Sequence, residues 1–126
     1  MLTTSSMRKS TKKSLTRKLD KVCSEIVRSR GYCVKCQKTK NLQACHIFSR
    51  TYRSVRWDIQ LNILCLCAGC HFHAHKNPVL FTEFVRNYLG DLNYASLKRI
   101  ATSIKKWTLV EMQELYDILK QWNDIK

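Results

Sequence analysis

The fold is decided by residues 62–75, which read NILCLCAGCHFHAH, together with residues 33–36, which read CVKC. The two segments contain two Cys-x-x-Cys pairs, and each pair places two sulfur atoms on one tight turn. Two such turns supply the four tetrahedral thiolates of a structural zinc site. The sequence therefore predicts that a zinc ion is held by Cys33, Cys36, Cys67 and Cys70. A small domain gains much of its folding free energy from such an ion.

Two further cysteines are predicted to be buried and not to bind metal. Cys65 is an alternative candidate to Cys67 as a zinc ligand, but the two-residue spacing from Cys67 to Cys70 favours Cys67. Cys23 lies beside Val22 in a helical pattern. We expect Cys65 and Cys23 to behave as small apolar core residues.

Length, composition and charge limit the possible functions. The chain has 126 residues, the size of one domain, and its longest apolar run, residues 63–68, is much shorter than a membrane span. These features argue against a multidomain enzyme and a membrane protein. The net charge is +14, and residues 1–56 contain 15 basic and two acidic side chains. This asymmetry indicates a polyanionic partner, most often a nucleic acid, more than a face kept basic for solubility.

The cysteine content also indicates the compartment. Seven cysteines cannot all pair as disulfides, and no apolar segment of a secretory signal follows the first basic residues. We therefore expect a reducing, cytoplasmic environment, in which clustered Cys and His residues usually hold metal.

The hydrophobic pattern predicts an α+β fold: a small zinc-stabilised finger flanked by an N-terminal helix and a C-terminal helical tail. Residues 1–13 are predicted to be a flexible basic arm, and 14–126 a single domain with the finger at about 33–77 and the tail at 79–126. Strands are predicted at 42–48 and 62–66, separated by a polar loop at 49–60. Helices are predicted at 15–30, from about 68 to before Pro78, at 79–89 and 94–106, and from a capping box formed by Thr108 and Glu111.

A second group of polar residues accompanies the cysteines. His46 ends the first predicted strand, Asn62 opens the second, and His71 and His75 lie four residues apart just after Cys70. If residues 71–75 are helical, His71 and His75 share a face and can chelate one ion, whereas His73 points elsewhere. Taken singly, each histidine is most simply a half-buried or surface side chain. Their fixed order around a zinc site favours a functional interpretation.

The order His46, Asn62, Cys67-x-x-Cys70-His71-x-x-x-His75, preceded by Cys33-x-x-Cys36, resembles the HNH branch of the His-Me finger (ββα-metal) nucleases. The resemblance covers about residues 33–77. The sequence around His46 and at residues 56–58 is similar to that of a phage subgroup that includes the lambda NinG recombination endonucleases. In that subgroup a helical tail also follows the finger. This likeness implies action in the cytoplasm of a bacterium or a phage-infected host cell.

The resemblance implies a role for each residue of this group. His46 would be the general base that deprotonates the attacking water, and Asn62 would orient His46 or fix its strand. His71 and His75 would hold a single divalent ion at the scissile phosphate. The resemblance also implies that His71 takes part in catalysis. An imidazole with a pKa near 6.5 and one metal ion suit phosphodiester hydrolysis at neutral pH.

Cys45 departs from the family pattern, because many HNH enzymes have Asp or His at this position, where it helps to bind the catalytic ion. A thiolate is a soft ligand that favours zinc over magnesium. Either Cys45 does not coordinate, and is a small buried residue, or the ion is a softer transition metal than Mg²⁺ or Mn²⁺. The simpler interpretation is a buried residue.

DNA is the partner that the charge and the resemblance predict. Candidate phosphate contacts are Arg50, Arg53 and Arg56 in the polar loop and Lys12, Lys13, Arg17 and Lys18 near the N-terminus. Trp57 is better explained as a core residue than as a base-stacking one. The aromatic C-terminal helices, with Trp107, Tyr116 and Trp122, can supply a homodimer interface.

Three functions are compatible with these features. The first is a metal-dependent DNA endonuclease that nicks DNA or resolves phage recombination or replication intermediates. The second is a non-catalytic zinc module that binds DNA or RNA, which accounts for the cysteines and the charge but not for the order of the histidines. The third is an RNase of the same fold.

Overall fold

The structure, a computed structural model, describes residues 11–125. Within this range it has five α-helices and one two-stranded antiparallel sheet, so the predicted α+β class is confirmed. The elements in chain order are α1 (Lys12–Arg28), β1 (Leu42–His46), a 3₁₀ turn (Arg53–Val55), β2 (Ile63–Cys67), α2 (Ala68–Lys76), α3 (Pro78–Leu89), α4 (Asp91–Ala101) and α5 (Leu109–Ile125).

Helix α1 begins three residues earlier than predicted because of a local cap. The Thr11 hydroxyl accepts from the Ser14 backbone N–H at 3.0 Å, and the Ser14 hydroxyl accepts from the Thr11 N–H at 3.1 Å. These bonds satisfy two donors at the helix start. Lys12 and Lys13 are therefore helical, which corrects the predicted arm at 1–13; its first ten residues lie outside the described range.

The two strands pair between Leu42 and Cys67 at one end and His46 and Ile63 at the other. The first strand ends two residues before its predicted end at residue 48, because the Asn62 side chain forms hydrogen bonds with both the backbone N–H and the backbone carbonyl of Phe48. The chain then leaves the sheet at this point. The predicted loop at 49–60 contains the 3₁₀ turn Arg53–Val55.

Helices cover the sheet, and the described residues form three core clusters, two of which include residues of the strands. Helices α1 and α5 pack together, and their core includes Leu19, Ile63 and Met112; α3 contributes Val85 to a second core with Leu64 and Leu66. Cys65 and Cys23 are 0% and 1% exposed, which confirms that both are buried. No helix in the described range combines the length and the apolar character that a membrane span needs.

Helix α4 differs from the prediction at both ends, and it begins three residues before the predicted Tyr94. Helix α4 covers Asp91–Ala101, so it ends five residues before the predicted Lys106. The Thr102 and Ser103 hydroxyls donate to backbone carbonyls of the last turn, which terminates the helix there. The predicted capping box is confirmed, because the Thr108 N–H donates to Glu111 Oε1 at 2.9 Å and the Glu111 N–H to Thr108 Oγ1 at 3.1 Å.

Candidate functional site

Four cysteines converge at the junction of β2 and α2. The Sγ atoms of Cys33, Cys36, Cys67 and Cys70, the cysteine cluster, lie within 4.8 Å of one another. The Cys36 and Cys67 sulfur atoms are 3.6 Å apart. Zinc bound tetrahedrally at about 2.3 Å needs sulfur–sulfur distances of about 3.8 Å. The cluster can therefore hold a structural zinc ion.

Backbone hydrogen bonds lower the pKa of two of these thiols. Cys67 caps α2, and the Cys70 backbone N–H donates to its sulfur at 3.4 Å, which lowers the pKa of the Cys67 thiol. Burial raises the pKa of Cys33, but hydrogen bonds from the backbone of Cys67, Cys36 and Lys35 outweigh it and lower this pKa to about 6. Burial raises the pKa of Cys70 to about 12, with further contributions from hydrogen bonds to the other cysteines. A lowered thiol pKa favours metal capture, because the thiolate is the form that binds metal.

A cavity of about 370 Å³ lies beside the cysteine cluster, between α1, β1 and α2. Its lining includes His46, His71 and His75, and we refer to it as the histidine cavity. The His46 Nε2 atom is 2.9 Å from the backbone carbonyl oxygen of Arg56. Because a carbonyl oxygen only accepts, Nε2 carries a proton and Nδ1 of the neutral ring is free to accept one. Burial lowers the pKa of His46, which keeps the ring neutral at neutral pH.

His71 and His75 face each other one turn apart on α2. Their Nε2 atoms are 3.0 Å apart, and the Nδ1 atom of His71 donates to Gln43 Oε1 at 2.7 Å. This bond fixes the ring of His71 so that Nε2 keeps its lone pair. Burial and the nearby charges of His75 and His46 lower the pKa of His71. Two imidazole nitrogens in this arrangement can chelate one cation, whereas His73 is exposed away from the cavity.

Asn62 lies behind His46 and is completely buried. Its Oδ1 accepts from the Phe48 N–H at 2.8 Å, and its Nδ2 donates to the carbonyls of Phe48 and Val55, both at 2.9 Å. The Asn62 side chain thus holds the start and the middle of the loop that follows His46. It contacts the loop and makes no hydrogen bond to the imidazole of His46.

Cys45 points away from the histidine cavity. Its side chain is 2% exposed and packs in the second core with Leu64 and Val85. Burial raises the pKa of the Cys45 thiol to about 12. A thiol in this position is a small apolar residue and is not directed at an ion between His71 and His75.

The predicted phosphate contacts are distributed over several surfaces. Arg50 lines the histidine cavity, and its side chain is 62% exposed. Arg56 is committed to Asp20, with its Nη2 2.7 Å and its Nε 3.0 Å from the two carboxylate oxygens. Lys12 and Arg53 line a different cavity, and Lys18 lies over the Tyr116 ring. Lys13 and Arg17 are exposed on α1.

Asp20 and Gln43 are the residues of this site that the sequence analysis missed. Asp20 lines the histidine cavity and accepts hydrogen bonds from Arg56 and from Trp57 Nε1, the latter at 2.8 Å. Burial raises the pKa of Asp20, but these hydrogen bonds outweigh it, so the pKa is lowered. The sequence contained one signal for Asp20: it is one of two acidic residues in residues 1–56, which also contain 15 basic residues. Trp57 is 7% exposed, which confirms its assignment to the core.

Searches of protein-family models, of curated proteins and of solved structures found no match to this chain.

Proposed function

We propose that this protein is a metal-dependent DNA endonuclease of the HNH type. The observation that carries the proposal is that His46, His71 and His75, from β1 and α2, line one cavity next to the cysteine cluster. A base and a pair of metal ligands around a shared space are the groups that phosphodiester hydrolysis requires. We further propose that the ion held by the cysteine cluster is zinc and that it is structural.

His46 is the general base of this proposal. With Nε2 donating to the Arg56 carbonyl, Nδ1 accepts a proton from the attacking water. The Arg56 guanidinium is held by Asp20, so the carbonyl that orients His46 is itself anchored to α1. Asn62 fixes the loop between them. An imidazole held in one tautomer and one orientation is already placed to accept the proton, so little rotational entropy is lost on reaching the transition state.

His71 and His75 are the proposed ligands of a second divalent ion, Mg²⁺, Mn²⁺ or a softer transition metal. Such an ion supplies charge neutralisation at the scissile phosphate. Gln43 holds the His71 ring in the required tautomer. Arg50, exposed at the rim of the same cavity, provides a fixed positive charge for the flanking phosphate.

The charge distribution supports DNA as the substrate. Arg50 lines the histidine cavity, further exposed basic residues lie along α1 and the loop, and the net charge is +14. The resemblance to the phage subgroup favours nicking or resolution of recombination or replication intermediates. The principal competitor is a zinc-stabilised module that binds nucleic acid without cutting it.

A plasmid-cleavage assay tests the proposal. Zinc-loaded protein is incubated with supercoiled plasmid and Mg²⁺, Mn²⁺ or Ni²⁺, and compared with His46→Ala and with His73→Ala, which removes an exposed histidine outside the cavity. We expect His46→Ala to lower the cleavage rate by about 10²–10⁴-fold while His73→Ala cuts normally. Binding without cleavage under every metal would favour the non-catalytic module, and preferred cleavage of labelled RNA would favour an RNase.

A further inference from the structure

A second cavity, of about 540 Å³, lies where the start of α1, the polar loop and the connection between α4 and α5 meet. Its lining contains five basic residues, Lys12, Arg53, Arg56, Lys105 and Lys106, and we call it the basic cavity. No acidic residue lines it. Lys105 and Lys106 come from residues 57–126, which are nearly neutral overall. The fold therefore adds two cations from the neutral half of the chain to the basic half.

The basic cavity has positive charge that the protein does not neutralise. Lys105 is paired with Glu111 at 2.9 Å, and Arg56 is paired with Asp20 at 2.7 Å. Among residues 11–125, by contrast, no carboxylate lies within 4.0 Å of the side-chain nitrogens of Lys12, Arg53 or Lys106. Three unneutralised cations around one hollow are suited to a polyanion and repel one another without it.

The connection between α4 and α5 is fixed in place by aromatic contacts. Trp107 Nε1 donates to the Arg53 backbone carbonyl at 2.9 Å, and the Trp107 ring packs edge-on against Trp57 with centroids 5.2 Å apart. Lys105 Nζ lies 4.7 Å from the centre of the Trp107 ring. Lys106 is thus presented from a held segment, so binding there costs little conformational entropy.

One face of α1 joins the two cavities. Lys12 and Thr16 line the basic cavity, and Asp20 and Ser24, the next residues at four-residue spacing, line the histidine cavity. Eight residues of α-helix separate the two pairs by about 12 Å. The phosphates of one strand advance by about 3.4 Å per nucleotide along a duplex axis, so this distance corresponds to a few nucleotides.

We infer that the basic cavity binds backbone phosphates of the same DNA strand that is cut in the histidine cavity, a few nucleotides from the scissile bond. Lys106 and Arg53 make the contacts, and the α4–α5 connection is thereby a part of the substrate-binding surface. This inference takes its ligand from the proposed function and adds where the uncut part of the strand lies.

The test measures DNA binding separately from cleavage. In a His46→Ala background, the double variant Arg53→Gln/Lys106→Gln is compared with Arg86→Gln/Lys120→Gln. The control removes the same two residue types from exposed positions on α3 and α5. A fluorescein-labelled DNA duplex serves as the probe, and its Kd is measured by anisotropy at several NaCl concentrations.

We expect the Kd to rise by about tenfold or more for the test variant, and the slope of log Kd against log [NaCl] to fall by about 2. The control variant should change the Kd and the salt slope much less. Equal weakening by both pairs would overturn the inference, since it would indicate only a general effect of net charge. Lys106→Gln alone, at an exposed side chain, should give about half of the change in slope and guards against misfolding of the double variant.

The outcomes separate this inference from the proposed function. If wild-type protein never cleaves DNA but the test variant binds more weakly than the control, the basic cavity binds DNA and the nuclease proposal fails. If wild-type protein cleaves and both pairs behave alike, the nuclease proposal stands and the basic cavity does not bind the strand.

Discussion

The two ends of the β2–α2 segment differ in how they are built. The cysteine cluster is formed by two short turns, with Cys67 capping the helix that carries Cys70. The histidine cavity begins at the next residue, His71, but it also needs Gln43 from β1 and residues of α1. A metal site whose ligands come in local pairs is visible in a sequence. A polar cavity whose lining comes from three separate elements becomes visible only after folding.

The largest effect is expected from breaking the cysteine cluster. Replacing Cys70 by Ser removes one of four thiolates, and structural zinc contributes about 10–16 kcal/mol in zinc-finger peptides, as much as a whole domain's stability. We expect loss of bound zinc, measured by elemental analysis, and loss of the cooperative thermal transition, measured by circular dichroism. The control, Cys45→Ala, removes a buried thiol outside the cluster and should keep one zinc per chain. A Cys70→Ser protein with full zinc and an unchanged Tm would contradict a structural role.

A smaller effect is expected when the support of His71 is removed. Gln43→Ala deletes the acceptor of the His71 Nδ1–H, which frees the ring to rotate. Loss of such a supporting partner typically costs about 10–100-fold in metal affinity. We expect that loss for Mn²⁺ added to zinc-loaded protein, measured by electron paramagnetic resonance, with zinc content unchanged. Gln60→Ala, at an exposed loop position, is the control, and equal Mn²⁺ affinity in both variants would contradict the supporting role of Gln43.

The link between α1 and the histidine cavity can be tested at Asp20. Asp20→Asn removes the charge that holds Arg56 at 2.7 Å, in a pair with both side chains 22% exposed. We expect a loss of about 1–3 kcal/mol in the free energy of unfolding, measured with urea, and slower cleavage because the Arg56 carbonyl orients His46. Asp91→Asn breaks an exposed 3.6 Å pair with Arg86 and should cost less than about 1 kcal/mol. Identical losses would show that Asp20 has no special role.

The smallest effect concerns pH. Burial lowers the pKa of His46 below its usual 6.5, so the neutral ring that can accept a proton persists into mildly acidic solution. The cleavage rate should therefore rise with pH and reach its plateau with a midpoint below 6.5 when the metal is saturating. The His46 ring resonance, assigned by its absence in His46→Ala, should titrate with the same midpoint by NMR. A midpoint at or above 6.5 would contradict a buried base.

Much of the fold could be predicted because it depends on neighbours in sequence. Apolar spacing predicted α1 and α5, and Thr108 with Glu111 predicted the start of α5. The errors fall at the ends of helices and of strand β1, where hydrogen bonds from single side chains decide the boundary. Ser14 extends α1 towards the N-terminus, and Thr102 and Ser103 end α4 early. Apolar periodicity carries no information about these caps.

The site was predicted in part. The histidines at 46, 71 and 75 were identified from their order, and the structure brings them to one cavity. Arg56 was predicted to contact phosphate, yet its guanidinium is held by Asp20, and it is the carbonyl of Arg56 that contacts His46. Sequence distance explains this difference, since Asp20 and Arg56 are far apart in the chain and meet only when α1 packs on the sheet.

The sequence by itself determined the cysteine cluster and the helix that carries His71 and His75, because their spacing is enforced by turns and helix periodicity over a few residues. Only the tertiary structure decided that Asp20 anchors the loop behind His46, that Gln43 supports His71, and that Lys106 and Arg53 line one cavity. These contacts join distant segments, and their geometry is set by how the helices pack around the apolar cores.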